Sequence, residues 1–496
     1  MNQLFRRKSV SILLAEAKTD EHKFNRALTA RNLVALGIGA IIGTGIFVLT
    51  GTAAANYAGP SIVLSFIFSA LGCVFAGLCY AEFASMIPIA GSAYTYAYAT
   101  LGEFLAWIIG WDLILEYLFA SSTVSVGWSG YFVSLMKDFH IIIPQELCSA
   151  PFNHIAEQGW VRTGSILNFP AVALVILITA LLVIGIKESS KFNNVIVLIK
   201  LTVILLFIGF GISSINIDNW TPFVPENTGK FGSFGWSGVI AGAGVIFFAY
   251  IGFDALSTAA QETKNPARDM PKGILWSLVI CTVLYVAVAA VMTGIVNYKE
   301  LNVPAPIALA IDRAGDMQAW LRPFIKVSGI MIKIGALAGL SSVVLVMLMA
   351  QPRIFYTMAK DGLLPPAFTV VHKKFKTPYI TTMVTGAAAA MVAGIFPISV
   401  LGELVSIGTL LAFVIVCAGI IILRKTDPDA VRPFKTPLVP LFPILGMLIC
   451  LAQMFALPIE TWLRLILWMA IGMAIYFLYG KRRSKLFLNQ NKNSEL

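Results

Sequence analysis

The sequence predicts an all-α integral membrane protein with about twelve transmembrane helices, ten of them arranged as two inverted repeats of five. Composition gives the first reason, because 58% of the 496 residues are hydrophobic and only 12% are charged. An ordinary soluble domain has roughly 45–50% apolar and about 25% charged residues, so lipid must act as solvent for much of this chain. The other two reasons are the length of the apolar tracts and a pair of glycine-interrupted tracts at corresponding positions in the two halves.

About 20 apolar residues in a helix cross a bilayer, and this rule divides the chain into twelve candidate spans. They are 32–56, 60–86, 103–133, 168–187, 192–214, 237–260, 273–296, 322–350, 378–396, 399–423, 437–456 and 461–480. The third and eighth spans are long enough to lie tilted in the bilayer.

Lys and Arg are concentrated on one side of these spans, which predicts the orientation of the chain. That side holds 26 of the 36 basic residues, and the opposite loops hold about 6. Segments 1–31 and 481–496 are therefore predicted to be cytoplasmic tails. The net charge of +11 comes from clusters that flank membrane spans and attract anionic lipids. The sequence has no basic face interleaved with aromatics, so nucleic acid is not expected as a partner.

Two spans are interrupted by glycine near the middle of the membrane. The first contains GIGAIIGTGIF at 37–47, and the sixth contains FFAYIGFDA at 247–255. Each interrupted span opens one half of the chain, 32–214 or 237–423. Because each half has five spans, an odd number, the two halves enter the membrane from opposite sides. The remaining spans, 437–480, are peripheral. Glycine in membrane helices often serves only close packing. Two interruptions at matching positions instead favour an inverted-repeat transporter with its binding site at the breaks.

Four motifs carry a resemblance to a known family. They are GIGAIIGTGIF (37–47), AEFASMIPIAGSAYTYAY (81–98), FFAYIGFDALSTAAQETKNPARDMPKGI (247–274) and PRIFYTMAKDGLLP (352–365). With them the chain resembles the amino acid–polyamine–organocation (APC) superfamily, and within it the bacterial branch of the cationic amino acid transporters. The resemblance implies a leucine-transporter-type fold with discontinuous helices 1 and 6, two peripheral helices, and amino acid transport across the plasma membrane.

The first break is predicted to bind the carboxylate of a substrate. Unwinding leaves N–H groups of Gly43, Thr44 and Gly45 at the N-terminal end of a half-helix, where the helix dipole also favours an anion. Backbone groups freed inside a membrane need a cavity or a ligand to satisfy them. The resemblance assigns this segment the same role and adds Ile41 to the site.

The sixth-span break is predicted to bind the substrate ammonium. Carbonyls of Phe248, Ala249 and Ile251 would be exposed at the C-terminal end of the preceding half-helix, which suits a cation. The resemblance assigns the same role, and a zwitterionic amino acid fits both breaks. The Phe248 ring either gates the pocket or is an ordinary core or lipid-facing aromatic.

Lys200 is an isolated basic residue inside the fifth span, where a charge is costly and by default functional. In proton-coupled relatives a lysine at the matching position takes the place of a sodium ion, which implies that Lys200 couples transport to protons. A permanently charged structural lysine and one that snorkels to the interface are the alternatives. The resemblance also assigns to this coupling site one face of the eighth span and the region of the first span around Gly39. The face is formed by Ala338, Ser341 and Ser342.

Three acids and a second lysine complete the candidate residues in the spans. Asp112 and Glu116 lie one turn apart on the third span, so they point the same way. Glu116 matches an acid of the cationic branch and would contact the substrate side chain or a helix-break amide, unless its role is structural. Asp254 would cap freed amides. Lys333 departs from the branch pattern; unless an acid pairs with it, its charge would repel cationic substrates and favour neutral ones.

The predicted function is secondary active amino acid transport by alternating access, driven by protons. A polyamine or organocation carrier and a proton-independent amino acid exchanger remain alternatives. The four histidines lie in tails or loops and the sequence has no CxxC motif, so it predicts no enzyme, no metal site and no cofactor. The charges of AKDGLLP (359–365) and KNPARDMP (264–271) either pair across cytoplasmic loops or only set topology. A small membrane subunit or a second copy of the chain is possible as a partner.

Overall fold

The structure, a computed structural model, is built almost entirely of helices. It describes residues 6–8, 28–87, 92–155, 159–184, 190–254, 256–257, 260, 263–317, 322–375 and 377–488. The α-helices in these ranges are, in chain order, α1 (Ala30–Ile41), α2 (Thr50–Ala53), α3 (Ile62–Met86), α4 (Ser92–Thr100), α5 (Glu103–Asp138), α6 (Phe169–Ile184), α7 (Ser190–Ile212), α8 (Gly235–Ile246), α9 (Pro266–Ile295), α10 (Pro306–Met317), α11 (Arg322–Lys360), α12 (Tyr379–Ile395), α13 (Ile398–Thr426), α14 (Leu441–Ala456), α15 (Ile459–Ile475) and α16 (Lys481–Arg483).

Short 3₁₀ and π turns and one hairpin join these helices. The 3₁₀ turns are Gly59–Ser61, Gln145–Leu147, Ile217–Trp220, Phe247–Tyr250, Tyr298–Glu300 and Pro366–Thr369, and the π turns are Gly45–Leu49, Ala54–Ala58 and Tyr476–Gly480. Strands β1 (Phe152–Ile155) and β2 (Gly159–Arg162) form an antiparallel hairpin after α5.

The length and composition of the helices fit a multi-pass membrane protein. Within the described part of the chain, seven continuous helical segments are long and apolar enough to cross a bilayer, and five further apolar helices are shorter. Each of the twelve predicted spans overlaps at least one of these helices. Large apolar side chains are exposed on the outer faces of several helices, such as Leu177, Leu198 and Leu467, as expected where lipid is the solvent.

The first span is broken where its glycines are densest. Helix α1 ends at Ile41, Ile42 is extended (φ −71°, ψ 102°), and the chain becomes helical again as a π turn from Gly45. Thr50 Oγ1 donates a 2.9 Å hydrogen bond to the Gly45 carbonyl. The interval 45–58 is therefore a second half-helix with its own N-terminal end at the break.

The sixth span is broken after a single 3₁₀ turn. Helix α8 passes into the turn Phe247–Tyr250, and Ile251 is extended (φ −60°, ψ 138°). Gly252 has φ +117°, a conformation that side chains rarely allow. A Cβ atom there would also lie 2.9 Å from the Ala40 carbonyl carbon. Gly252 is thus required both by its backbone angle and by its contact with the first span.

Several boundaries and elements differ from the sequence prediction. Helix α11 continues to Lys360, ten residues beyond the predicted span 322–350, even though Pro352 lies inside it. The predicted connections 87–102 and 297–321 contain the helices α4 and α10, and the hairpin β1–β2 was not predicted. The extension of α11 and these short elements lie outside the apolar tracts, so the rule of about 20 apolar residues did not detect them.

Candidate functional site

The two helix breaks lie directly against one another. A Cβ atom placed on Gly45 would lie 2.2 Å from Ala249 Cα, so glycine is the residue type that allows this approach. The structure therefore brings the predicted segments 41–45 and 248–251 together, although they are about two hundred residues apart in the chain.

Tyr285 of α9 connects the two breaks and was not predicted from the sequence. Its hydroxyl lies 2.9 Å from the Ile41 carbonyl oxygen and 2.9 Å from the Ala249 carbonyl oxygen, and its single proton is shared between these two acceptors. The side chain is fully buried. The sequence shows only a tyrosine in the middle of the apolar seventh span, and tyrosines in membrane helices are too common for this one to indicate a functional site.

Two of the three carbonyls expected to bind an ammonium, those of Phe248 and Ala249, already accept a hydrogen bond within the protein. The Phe248 carbonyl accepts a 3.2 Å hydrogen bond from the Ile251 N–H, and the Ala249 carbonyl accepts from Tyr285. Each carbonyl oxygen has two lone pairs, so both retain the capacity to accept a second bond. The Phe248 ring is buried and belongs to the core.

Thr44 supplies an unused polar atom at the first break. Its hydroxyl is fully buried and has no hydrogen-bond partner among the described residues. Its methyl group packs on α5 at Gly127, where a Cβ atom would lie 2.9 Å away. Such an unpaired buried group is costly, and a bound ligand would remove that cost.

Lys200 of α7 is hydrogen-bonded to the end of the first half-helix. Its Nζ donates to the Gly39 carbonyl at 2.6 Å and to the Ile42 carbonyl at 2.9 Å, and the residue is fully buried. The stem of Lys200 lies on Gly339 of α11, where a Cβ atom would meet Lys200 Cγ and Cε at 3.1 Å. An ammonium therefore occupies the C-terminal end of α1, where the helix dipole favours a cation.

Helix α11 contacts Lys200 at Gly339, which is not one of the three residues predicted for the coupling site. Ser341 donates to the Leu337 carbonyl and Ser342 to the Gly339 carbonyl, both at 2.8 Å within α11. Ala338 is half-buried on the same helix. Serine hydroxyls commonly bond to their own helix in this way.

The three acids are buried, and Glu116 lies close enough to Asp112 and Asp254 to interact with both carboxyl groups. Asp112 and Glu116 carry no hydrogen bond on either carboxyl oxygen within the described residues; the nearby Thr409 hydroxyl donates to the Val405 carbonyl. Asp254 Oδ1 accepts the Gly252 N–H at 3.1 Å, which is the amide-capping contact expected from the sequence.

Lys333 has acidic partners, so its charge is balanced. Its Nζ lies 2.7 Å from Asp138 Oδ2 and 3.3 Å from Asp312 Oδ2, and its own side chain is buried. The expectation that Lys333 would repel cationic substrates as an unpaired charge is therefore removed. The charge of Lys333 therefore no longer provides an argument for neutral substrates.

Comparison with known proteins identifies the class of this chain. The sequence profile of the family described as amino acid permease matches residues 28–476. A methylthioribose transporter of Bacillus subtilis (strain 168) is 46% identical over 98% of this chain and 100% of its own length. A branched-chain amino acid permease, BcaP, of the same organism is 48% identical over 97% of this chain and 99% of its own length. A vacuolar cationic amino acid transporter 4 of Arabidopsis thaliana is 36% identical over 87% of this chain and 68% of its own length.

The helices and these similarities together define a multi-pass membrane transporter and not an enzyme. The chain belongs to the amino acid permease family, and its predicted place in the APC superfamily is confirmed.

Proposed function

We propose that this protein is a proton-coupled secondary transporter of neutral, aliphatic amino acids. It works by alternating access around the two helix breaks, within twelve spans that form two inverted five-helix repeats and a peripheral pair. The protein lies in the plasma membrane with both termini in the cytoplasm. The single observation that carries the proposal is the contact of Lys200 with the carbonyls of Gly39 and Ile42.

The substrate class follows from the α-carboxylate and α-ammonium groups of an amino acid and from the side chains that surround the two helix breaks. The carboxylate binds at the N-terminal end of the half-helix 45–58, where the Thr44 hydroxyl is unpaired, and the ammonium binds the remaining lone pairs of the carbonyls at 248–251. Buried apolar side chains flank both breaks, which suits an aliphatic substrate. They include Ile46, Phe47, Val48, Phe247 and Val343. The similarity to a branched-chain amino acid permease supports the same class.

Proton coupling follows from the position of Lys200 beside the carboxylate site. Burial disfavours the charged form of a lysine, while the two carbonyls favour it through charge-assisted hydrogen bonds. Ile42 directly precedes Gly43, so loss of the Lys200 proton weakens a bond that holds the first break in place. Protonation and substrate binding therefore act on the same few backbone atoms.

Uptake into proteoliposomes tests the coupling. An inward proton gradient should drive accumulation of leucine, isoleucine or valine in the absence of sodium. Lys200→Ala should abolish gradient-driven accumulation, and the substrate binding that remains, measured by thermal stabilisation, should be weaker and no longer depend on pH. Accumulation that depends strictly on sodium, or that is unchanged in Lys200→Ala, would contradict proton coupling. Substrate exchange that proceeds equally without any proton gradient would identify a proton-independent exchanger.

Methylthioribose is a second candidate substrate, because a methylthioribose transporter is also similar over its full length. This sugar has neither a carboxylate nor an ammonium. Only its neutral hydroxyl groups could therefore form hydrogen bonds with the Thr44 hydroxyl and the amides of the first break. A thermal-shift screen of the purified protein against all twenty amino acids, methylthioribose and common polyamines distinguishes these ligands. Stabilisation by a polyamine and not by amino acids would establish an organocation carrier.

A further inference from the structure

The ends of α1 and α9 on the predicted cytoplasmic side border an open, basic surface cavity that the transport site does not use. The cavity has a volume of about 430 Å³ and is lined by Thr29, Ala30, Arg31, Arg268, Asp269 and Lys272. Three of its four charged side chains are basic, so it carries a net charge of about +2. The side chains of Arg31, Arg268 and Lys272 are exposed, and their charged groups make no ion pair or hydrogen bond with any residue that the structure describes.

The basic side chains lie at the height of the lipid headgroups. Arg31 directly precedes the predicted span that begins at 32, and Lys272 directly precedes the one that begins at 273. Both are on the side that the charge distribution predicts to be cytoplasmic, where anionic lipids attract Lys and Arg.

An exposed apolar stripe leads from the cavity into the membrane along α9. Trp276, Val279 and Val283 are exposed, and their spacing places them on the helix face of Arg268 and Lys272. Tryptophan is enriched at the membrane interface because its ring is amphipathic. A basic site that continues into such a stripe matches a molecule with an anionic head and an apolar tail.

The cavity also joins two helices that are packed unusually closely. A Cβ atom on Gly273 would lie 2.6 Å from Leu33 Cβ, and one on Gly37 would lie 2.6 Å from Ser277 Cβ. The Lys264 N–H donates to the Leu28 carbonyl at 2.9 Å just before both helices begin. A ligand held by Arg31 on α1 and by Lys272 on α9 would strengthen this contact.

We propose that the cavity binds the phosphate headgroup of an anionic phospholipid, with one acyl chain lying along Trp276, Val279 and Val283. Arg31, Arg268 and Lys272 hold the phosphate, and the lipid ties α1 to α9 at the cytoplasmic surface. The site is independent of the transported substrate and of proton coupling.

Thermal denaturation of the purified protein in mixed micelles tests the proposal. The probes are phosphatidylglycerol, phosphatidylcholine with the same acyl chains, and inorganic phosphate. Phosphatidylglycerol should raise the Tm of the unchanged protein in a saturable manner, and the other two probes should not. The variant R31Q/R268Q/K272Q should need roughly a hundredfold more phosphatidylglycerol for the same shift, since each basic residue near the surface contributes about a fivefold factor.

A matched control removes the same charge elsewhere on the predicted cytoplasmic surface. Lys373, Lys374 and Lys425 are exposed and do not line this cavity, so K373Q/K374Q/K425Q should respond to phosphatidylglycerol like the unchanged protein. If the first triple variant does not fold, Lys272→Gln alone should show a loss of roughly fivefold.

Three results would overturn the proposal. Equal losses in both triple variants would mean a general effect of surface charge. Full stabilisation by inorganic phosphate would mean a site for soluble anions. Unchanged affinity for phosphatidylglycerol in R31Q/R268Q/K272Q would mean that the lipid binds elsewhere.

Discussion

Lys200 and Lys333 are both buried lysines of the helical bundle, but they have different kinds of partner. Lys200 donates to two backbone carbonyls, and the structure describes no ion pair for it within the residues it covers. Lys333 lies against two carboxylates. A buried ammonium is stabilised far more by an anion than by neutral dipoles. The absence of an anionic partner among the described residues is what favours Lys200 as the residue for proton coupling.

At the Lys333 site, removing the lysine and removing its acidic partners are predicted to destabilise the protein by different amounts. The side chains of Asp138 and Asp312 are 29% and 57% exposed, whereas that of Lys333 is 1% exposed. Removing the lysine as Lys333→Met leaves two carboxylates that water can reach, so we expect a loss of about 1 kcal/mol or less. The double variant D138N/D312N leaves a buried ammonium without an anion, which costs roughly 3–5 kcal/mol.

The two variants are compared by their Tm in detergent. A lower Tm for D138N/D312N than for Lys333→Met is the expected order. The reverse order would show that repulsion between Asp138 and Asp312 in the absence of Lys333 costs more than burying its ammonium without them.

The functional importance of a residue was predictable from the sequence where its chemical type differs from that of its neighbours. Lys200 stands out as a charge in an apolar run, and its importance could be proposed at once. Tyr285 and Gly339 do not stand out, since tyrosine and glycine are ordinary in membrane helices. Their roles arise only when distant helices come together. The partners of Lys333 were unpredictable for the same reason, because Asp138 lies 195 positions away.

At the scale of elements, the glycine clusters predicted where the chain would leave the helix. Helix α1 ends at Ile41, within the segment 37–47. The sequence did not predict that the two half-helices touch through Gly45 and Ala249. A glycine that ends a helix and a glycine that permits contact look the same in a single sequence, so their functions were separable only in the structure.

The crossing of the half-helices yields a prediction for Gly45→Ala. The added methyl group would overlap the Ala249 backbone, so the two breaks must separate. We expect a lower Tm and loss of stabilisation by the transported substrate. Gly209→Ala in α7 is the control, because nothing lies within 4 Å of a Cβ atom there. That change should leave substrate binding intact and stabilise the helix by roughly 0.5–1 kcal/mol. Normal substrate stabilisation in Gly45→Ala would contradict a ligand site at the crossing.

At the scale of the whole molecule, described segments near both chain ends, at Lys8 and Lys485, contact the loop after α11. Lys8 Nζ lies 3.1 Å from Asp361 Oδ1, Tyr94 donates to Asp361 Oδ2 at 2.7 Å, and the Lys485 N–H donates to the Asp361 carbonyl at 3.0 Å. Burial raises the pKa of the Tyr94 phenol well above its usual value, so this donor keeps its proton at physiological pH. Of the two motifs expected to pair charges across loops, AKDGLLP (359–365) thus pairs with the N-terminal segment.

Glu103, at the start of α5, forms a second junction beside the first. Its carboxylate accepts hydrogen bonds from Tyr98 and Tyr476, each at 3.0 Å, and from the Ser484 hydroxyl. Helices α4 and α5, the π turn Tyr476–Gly480 and the loop after α11 are thereby connected to the two tails by polar contacts. The tails were predicted only as orientation signals, because their contacts join residues that are hundreds of positions apart.

Asp361→Ala tests whether these contacts hold the tails in place. The change removes the ion pair with Lys8 and the acceptor of Tyr94, a loss of roughly 2–3 kcal/mol for two bonds to a charged group. The backbone bonds of both tails remain, from Lys485 to Asp361 and from Lys8 to Tyr98, so only the N-terminal segment loses a direct side-chain contact. Hydrogen–deuterium exchange should therefore increase around residues 6–8 more than around 484–488, and the Tm should fall. Asp429→Ala removes an exposed acid from the separate loop after α13 and should change neither measurement. Equal exchange in the two variants would mean that Asp361 does not retain the N-terminal segment.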